Sequence, residues 1–489
     1  MISESRALSG RLVVKHRLLS IILMASVLFG AACHRKNSAP PPPTLSGPDS
    51  GLIRTPLAFL AATEDPDGDS FTIQFDWGDG DSSPWSEFCH PDSSVVDSHS
   101  WSMPDTYAVR ARASDRQGNV SAWSPPHILA IGAQPVTILW SLPIGQNSSG
   151  FCSPVLGEDG TIYVANDAGT LIAVRPDGSA KWQAQTGACG GTPAIGDDGT
   201  VYVQSGTWLR AIGADGQERW AFPAERGPYP PGLGGDGTVY FITRSGGQLH
   251  ALDRDGRFKW RSDSCGASGT PAIGTDGTIY VTCMGCLLRA YRSDGTLKWS
   301  FTSPTRLTSN AALGADGAVY FAACIPGECG SNLCALDPEG RLMWAYGIPH
   351  DNIAHAPVVG QDGTIYYGTW ACEDWEFGSL VARRPDGSLK WRIATSDMDS
   401  DPVLGSDGTV YAVDYECLRA VDQDGEALWR LPGYGSCVPP TMGQGVLYTI
   451  RWGDWEQDDT LVAVAVSGRL AESPWPMHMH DAQHTCRAR

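Results

Sequence analysis

Thr192-Pro193-Ala194-Ile195-Gly196, then Asp198-Gly199-Thr200-Val201-Tyr202-Val203, then Ala211, then Asp215-Gly216 ahead of Trp220, is the stretch that decides the fold. Each Asp-Gly lies between short runs rich in β-branched and aromatic residues, the strongest short-range signal for a hairpin. The unit recurs about every 40 residues, a period that points to solenoids or propellers. Its second-strand tyrosine returns at Tyr163, Tyr202, Tyr240, Tyr280, Tyr320, Tyr366, Tyr411 and Tyr448. Its closing tryptophan returns at Trp182, Trp220, Trp260, Trp299, Trp344, Trp391 and Trp429, one fewer than the tyrosines. Glu472 stands where an eighth would fall, whereas Trp140 stands ahead of the first unit. A ring resolves the mismatch. The segment 136–141 is expected to complete the last sheet, so residues 136–466 form an eight-bladed β-propeller with no open edge.

The unit resembles the PQQ-like propeller repeat, shared by quinoprotein dehydrogenases and by non-enzymatic outer-membrane assembly lipoproteins. The residues that carry the resemblance are Ala251, Asp253, Gly256 and Trp260, returning as Ala335, Asp337, Gly340, Trp344 and as Ala420, Asp422, Gly425, Trp429. Membership implies that the Trp and Ala dock neighbouring blades, so these tryptophans are structural. A quinone enzyme of this kind also needs two adjacent cysteines and a calcium set of Glu, Asn and Asp. The nearest cysteines here are Cys283 and Cys286, and no residue maps onto that calcium set. No catalytic residue is assigned and no PQQ cofactor is expected. A PQQ-dependent dehydrogenase is kept as the alternative, because fold alone does not give activity.

Composition agrees with an all-β chain. The 57 Gly and 34 Pro supply turns, and 42% hydrophobic residues suffice for a core. With 35 basic against 54 acidic residues the net charge is −19, which repels phosphate backbones and excludes nucleic acid as a partner.

The N-terminus reads as an export signal over 1–32. Arg6, Arg11, Lys15 and Arg17 precede an apolar run from Leu18 to Phe29, too short to span a bilayer. Gly30-Ala31-Ala32-Cys33 resembles a bacterial lipobox, with Gly30 where that motif carries Leu. It implies lipidation of Cys33, membrane contact through the lipid anchor only, and a location in the bacterial cell envelope, at the outer membrane or cell surface. Residues 33–47, with prolines from Pro40 to Pro43, are expected to be a spacer.

Residues 48–133 alternate apolar and polar side chains from Phe71 to Phe75 and from Tyr107 to Ser114, suiting an immunoglobulin-like sandwich. Asp65-Pro66-Asp67-Gly68-Asp69, Asp76-Trp77-Gly78-Asp79-Gly80 and His99-Ser100-Trp101 resemble the PKD family of bacterial surface modules. That resemblance implies a spacer or adhesion role. Asp65, Asp67 and Asp69 can either bind calcium, a cation that takes six to eight oxygens, or simply build the turn.

An exported chain is expected to pair its cysteines. Cys152, Cys189, Cys265 and Cys437 precede first strands, whereas Cys283, Cys286, Cys324, Cys329, Cys334, Cys372 and Cys417 fall near second-to-third-strand loops. Both loop sets emerge on one face of an up-and-down blade. A thiol redox or metal site at Cys283 and Cys286 is the alternative to disulfides. The same face carries Trp370, Trp375, Phe377, Trp452 and Trp455, an aromatic rim that either binds an envelope protein or a glycan or packs over the tops of the sheets. The tail, 467–489, holds Met477, His478, Met479, His480 and His484, which can bind copper or zinc or pack against the ring.

Overall fold

The alternating runs become strands, and no helix occurs among the described residues of this computed structural model. It describes residues 13–15, 37–91, 93–101, 105–132, 136–145, 152–472, 477 and 481; within 152–472 the segments 167, 188–190, 225–228, 244–245, 268, 285, 326–329, 350, 354–355, 372–377, 399, 435–437, 454–457 and 467 are excepted. The chain divides into two units, Met1–Gln134 and Pro135–Arg489.

The first unit is two four-stranded sheets. One runs in the order Val13–Lys15, Ser93–His99, Leu57–Ala62, Thr44–Ser46; the other Ser50–Leu52, His127–Gly132, Asp105–Asp115, Phe71–Asp76. Thr44–Ser46 falls inside the stretch expected to be a spacer. It becomes an edge strand because Leu45 and its neighbours pair with Leu60–Ala62, beyond the prolines that cannot donate. At the core, Trp77 is sandwiched between Phe75 and His99, both rings parallel to it within 4° at 5.0 and 5.1 Å. The fully buried Trp101 donates its indole N–H to the Trp77 carbonyl at 3.2 Å.

The second unit contains eight sheets among the described residues. Sheet 2 is representative: Ala194–Ile195, Val201–Ser205, Trp208–Ile212 and Glu218–Pro223 pair antiparallel in chain order. In every sheet the same row crosses strands two, three and four. Tyr202 faces Ala211, which faces Trp220, and a bulge follows the alanine. Sheet 8 is built from Thr441–Gly443, Val446–Arg451 and Asp459–Ala465 with Thr137–Gly145 as its fourth strand. Trp140 there faces Ala463, the expected place of the missing eighth tryptophan. The innermost strand of sheet 1, Val155–Leu156, touches those of both sheet 2 and sheet 8, and Thr441 donates its hydroxyl to the Pro154 carbonyl. The ring is closed.

Seven of the eight tryptophans hold their sheet to the next. Each ring lies 5.7–6.0 Å from the tyrosine of its own sheet in all eight pairs. Trp140, Trp182, Trp220, Trp260, Trp299, Trp344 and Trp391 each donate Nε1–H to a carbonyl in the following sheet's second acidic-Gly turn, Asp-Gly in six and Glu339-Gly340 in sheet 5, at 2.8–3.1 Å. The turn glycines Gly178, Gly216, Gly256, Gly295, Gly340, Gly387 and Gly425 sit over those rings at φ +81° to +90°. A Cβ there would approach the indole to 2.6–3.0 Å, so glycine is required by backbone and by contact.

The first Asp-Gly turn is fixed differently. Asp159, Asp198, Asp236, Asp276, Asp316, Asp362 and Asp407 each accept the backbone N–H two residues on, at 2.9–3.1 Å. Lys181, Lys259 and Lys298 reach from the fourth strand to Asp159, Asp236 and Asp276 at 2.9–3.2 Å. Burial alone would raise these three carboxyls, but hydrogen bonds from threonine and lysine hold them below the usual carboxylate range.

The docking contact can be isolated from backbone strain. Gly433, at φ +76°, has nothing within 4 Å of the point where a Cβ would stand, whereas Gly256 faces Trp220. Urea unfolding of Gly433→Ala is expected to show a loss of about 1 kcal/mol from the left-handed backbone alone. For Gly256→Ala the expected loss is larger by roughly 1–3 kcal/mol, because the Trp220 ring must move. Equal losses would mean that the ring contact contributes nothing.

Candidate binding surface

The connection into each sheet runs beside the end of that sheet's second strand. Ala267 bridges Cys283 and Leu307 bridges Ala323, while the Ser400 hydroxyl donates to the Val413 carbonyl at 2.7 Å. The two loop sets therefore share one face, as their spacing implied, and the Asp-Gly turns occupy the other.

Of the aromatic rim, Trp370 lies on the strand Ile365–Ala371 opposite Asn352 and is 41% exposed. Trp452 is half-buried, with its ring 6.1 Å from that of Tyr415. Its Nε1 is buried with no hydrogen-bond partner among the described residues. Trp375, Phe377 and Trp455 lie outside the described residues, as do Cys33, His478, His480 and His484. Near the tail, Leu470 bridges Gly405 and Ala471 N–H donates to the Leu404 carbonyl at 2.8 Å. Met477 and Asp481 are buried.

Tyr415 leads to a group that the sequence reading did not single out. At the junction of sheets 6 and 7, a cavity of about 510 Å³ is lined by Thr395, Asp397, Tyr415, Glu416, Arg419 and Arg430. The hairpin turn before Cys417–Val421 shapes it. Asp414, fully buried, accepts the backbone N–H of Glu416 and of Cys417 at 2.9 and 2.8 Å and pairs with Arg419 through its other oxygen. Arg430 donates to the Cys417 sulfur at 2.9 Å and to Glu416 at 2.8 Å. Burial pushes the Cys417 thiol up, against the pull of these two guanidiniums. The hydroxyl of Thr395 and Nε of Arg419 are buried and without partners among the described residues. Two cations, two carboxylates and an exposed phenol at one cavity can hold a polar ligand and orient it by hydrogen bonds.

One sequence signal points to this place. Arg419 stands in Leu-Arg-Ala, as do Arg210 and Arg289, where other sheets carry Ile172, Val381 or Val462. A charge at an apolar strand position needs a partner, but the hairpin that supplies Asp414 follows no repeat.

In the first unit, Asp65 Oδ1 accepts the N–H of Asp67 and of Asp69 at 2.9 and 3.2 Å, so the turn-building role is realised. Asp67 accepts Ser38 N–H at 2.7 Å, and Asp69 accepts the Gln117 amide at 3.2 Å. Asp65 is only 6% exposed, and its Oδ2 is buried with no hydrogen-bond partner among the described residues. Elsewhere on this unit, ligand atoms of Asp79, Asp81 and His99 gather within 4.8 Å, with His99 Nε2 2.6 Å from Asp79.

Comparison with known proteins places both units. A family model described as outer membrane protein assembly factor BamB matches residues 127–220, 205–369 and 331–473, and a PKD domain model matches residues 50–126. The crystal structure of BamB from Moraxella catarrhalis is similar at 18% identity and a TM-score of 0.55, covering 68% of this chain and 98% of its own. A structure of the Dos1 propeller is similar at 9% identity and a TM-score of 0.54, covering 69% of this chain and 97% of its own. At these identities the likeness is one of fold. No curated protein matches the sequence.

The cavity's supports differ in weight. Arg419 is 12% exposed and its removal strands the fully buried Asp414, whereas Arg430 is half exposed and its partner Glu416 more so. Thermal or urea unfolding is expected to show a loss of about 3–5 kcal/mol for Arg419→Met. For Arg430→Met the expected loss is within about 1 kcal/mol. Comparable losses would mean that the Asp414 pair is not the element that holds the hairpin.

Proposed function

The chain belongs to the family of the outer membrane protein assembly factor BamB, and from that premise we propose that it is a non-enzymatic, lipid-anchored protein of the bacterial envelope. In this reading Cys33 carries the lipid, and the propeller is a binding and scaffolding platform for a partner protein. The PKD domain serves as a spacer or adhesion module. One observation carries the reading: the recurring Trp, Tyr and Ala are committed to docking sheet to sheet, which leaves the irregular loop face as the place where chemistry varies. Tyr415, Trp452 and the cavity beside them are the proposed contact, since half-buried aromatics next to arginine are the groups that dominate interfaces.

A photo-crosslinking amino acid at position 370, 415 or 452 is expected to capture one defined envelope protein, and the same probe at Asp294 or Asp386, on the turn face, none. Tyr415→Ala should weaken that binding about tenfold or more. Equal capture from both faces would overturn the reading. So would binding to a glycan with no protein captured, or dye reduction by the purified protein with the quinone and calcium added.

We propose also that the turn at Asp65, Asp67 and Asp69 takes calcium. The support is the buried, unpartnered Oδ2 of Asp65, an oxygen suited to a hard cation, in a run of sequence that also carries Asp67 and Asp69. Millimolar calcium is expected to raise the melting temperature of the full chain's first transition. Asp65→Asn, which retains the Oδ1 that caps the turn, should abolish that rise. No shift in the native protein would remove the metal from this turn.

A further inference from the structure

Cys283 and Cys286 form a CxxC pair in sequence, but the fold turns Cys283 toward a different thiol. Its Sγ lies 2.7 Å from the Sγ of Cys265 and donates to it. Cys265 belongs to the connection that enters sheet 4, and Cys283 ends that sheet's second strand, Ile279–Cys283. The connection is held on both sides: Ala267 N–H donates to the Gly247 carbonyl of sheet 3 at 2.8 Å, and Met284 N–H to the Gly266 carbonyl at 2.8 Å. Cys286, by contrast, sits at φ +71° in the hairpin turn with its carbonyl accepting Ser303 N–H at 2.7 Å.

We propose that Cys265 and Cys283 form a disulfide that staples the connection between sheets 3 and 4 to the loop-face end of sheet 4. The pair is asymmetric in the way that directional oxidation requires. Cys283 is buried, whereas Cys265 is partly open to solvent. The hydrogen bond from Cys283 lowers the Cys265 thiol against its burial, with Tyr291 and the Arg289 guanidinium adding to that effect. The same hydrogen bond and burial raise Cys283.

Cys265 is thus the thiolate that attacks a low-molecular-weight or protein disulfide. A mixed disulfide forms and one oxidant sulfur leaves as thiolate. Cys283 then gives up its proton and attacks the Cys265 sulfur, expelling the second oxidant sulfur. Two protein thiols become one disulfide, the oxidant disulfide becomes two thiols, and the electron pair passes to the oxidant. Because the loop closed spans 18 positions, the cross-link removes chain entropy from the unfolded state.

The test uses the full chain, reduced and then exposed to glutathione disulfide, with non-reducing peptide mass spectrometry. A peptide linking positions 265 and 283 is expected, and the oxidised protein should melt roughly 5 °C above the reduced one. Cys265→Ser and Cys283→Ser should each abolish that increment, and the double variant should add no further loss. Cys286→Ser should leave the link and the increment intact, which guards against a general folding defect. A 283–286 or 265–286 link, or both thiols of the pair still alkylated after oxidation, would overturn the proposal. None of these outcomes depends on where the protein resides or what it binds.

Discussion

An indole lying beneath the backbone of the next sheet's turn is the contact on which the propeller depends. Each sheet alone has one apolar face too many, and stacking around a ring is the only way to cover both. The tryptophan accomplishes this with three fixed relations: a tyrosine of its own sheet beside it, a glycine of the next sheet over its face, and a carbonyl of that turn accepting its N–H. Removing the Cβ from the turn residue lets backbone meet ring at van der Waals distance. The alanine between Tyr and Trp follows from the same constraint, since a larger side chain would lift the tryptophan away.

Closure is a second consequence. A chain built from equal units leaves an unpaired strand at each end, and those edges invite aggregation. Thr137–Gly145 enters before the first unit and pairs with Asp459–Ala465, so the first and last sheets share a hydrophobic cluster that includes Trp140, Ile162, Tyr448 and Ala463. The ring is thereby locked by hydrogen bonds between the two ends of the propeller segment. That arrangement makes one face from tight Asp-Gly turns and the other from loops of unequal length.

The inequality is what gives the loop face its character. Tight turns carry Asp and Gly for geometric reasons and have little freedom to vary. Hairpins such as the one at Asp414 to Glu416 are free to differ from sheet to sheet, and a buried ion pair there holds an exposed tyrosine and two arginines about a cavity. Placing a charge inside the sheet junction has a desolvation cost, met by two backbone N–H groups on Asp414 and by Arg419.

Much was legible in the residues alone. The Tyr and Trp periods marked out the sheets, the surplus tyrosine and the orphan Trp140 foretold how the ring closes, and the strands at Phe71 and Tyr107 were read from alternation. These features are local or periodic, so spacing along the chain encodes them. What spacing could not encode is which loops meet. Cys283 lies three residues from Cys286 yet faces Cys265, because the connection between sheets folds back along the second strand. The Arg419 and Asp414 pair, the aromatic contact of Tyr415 with Trp452, and the strand at Thr44–Ser46 likewise depend on neighbours that a repeat does not specify. The architecture was thus written along the chain, in a side-chain row repeated at each sheet. The surface chemistry emerged only on folding, because it depends on distances between loops whose lengths follow no period.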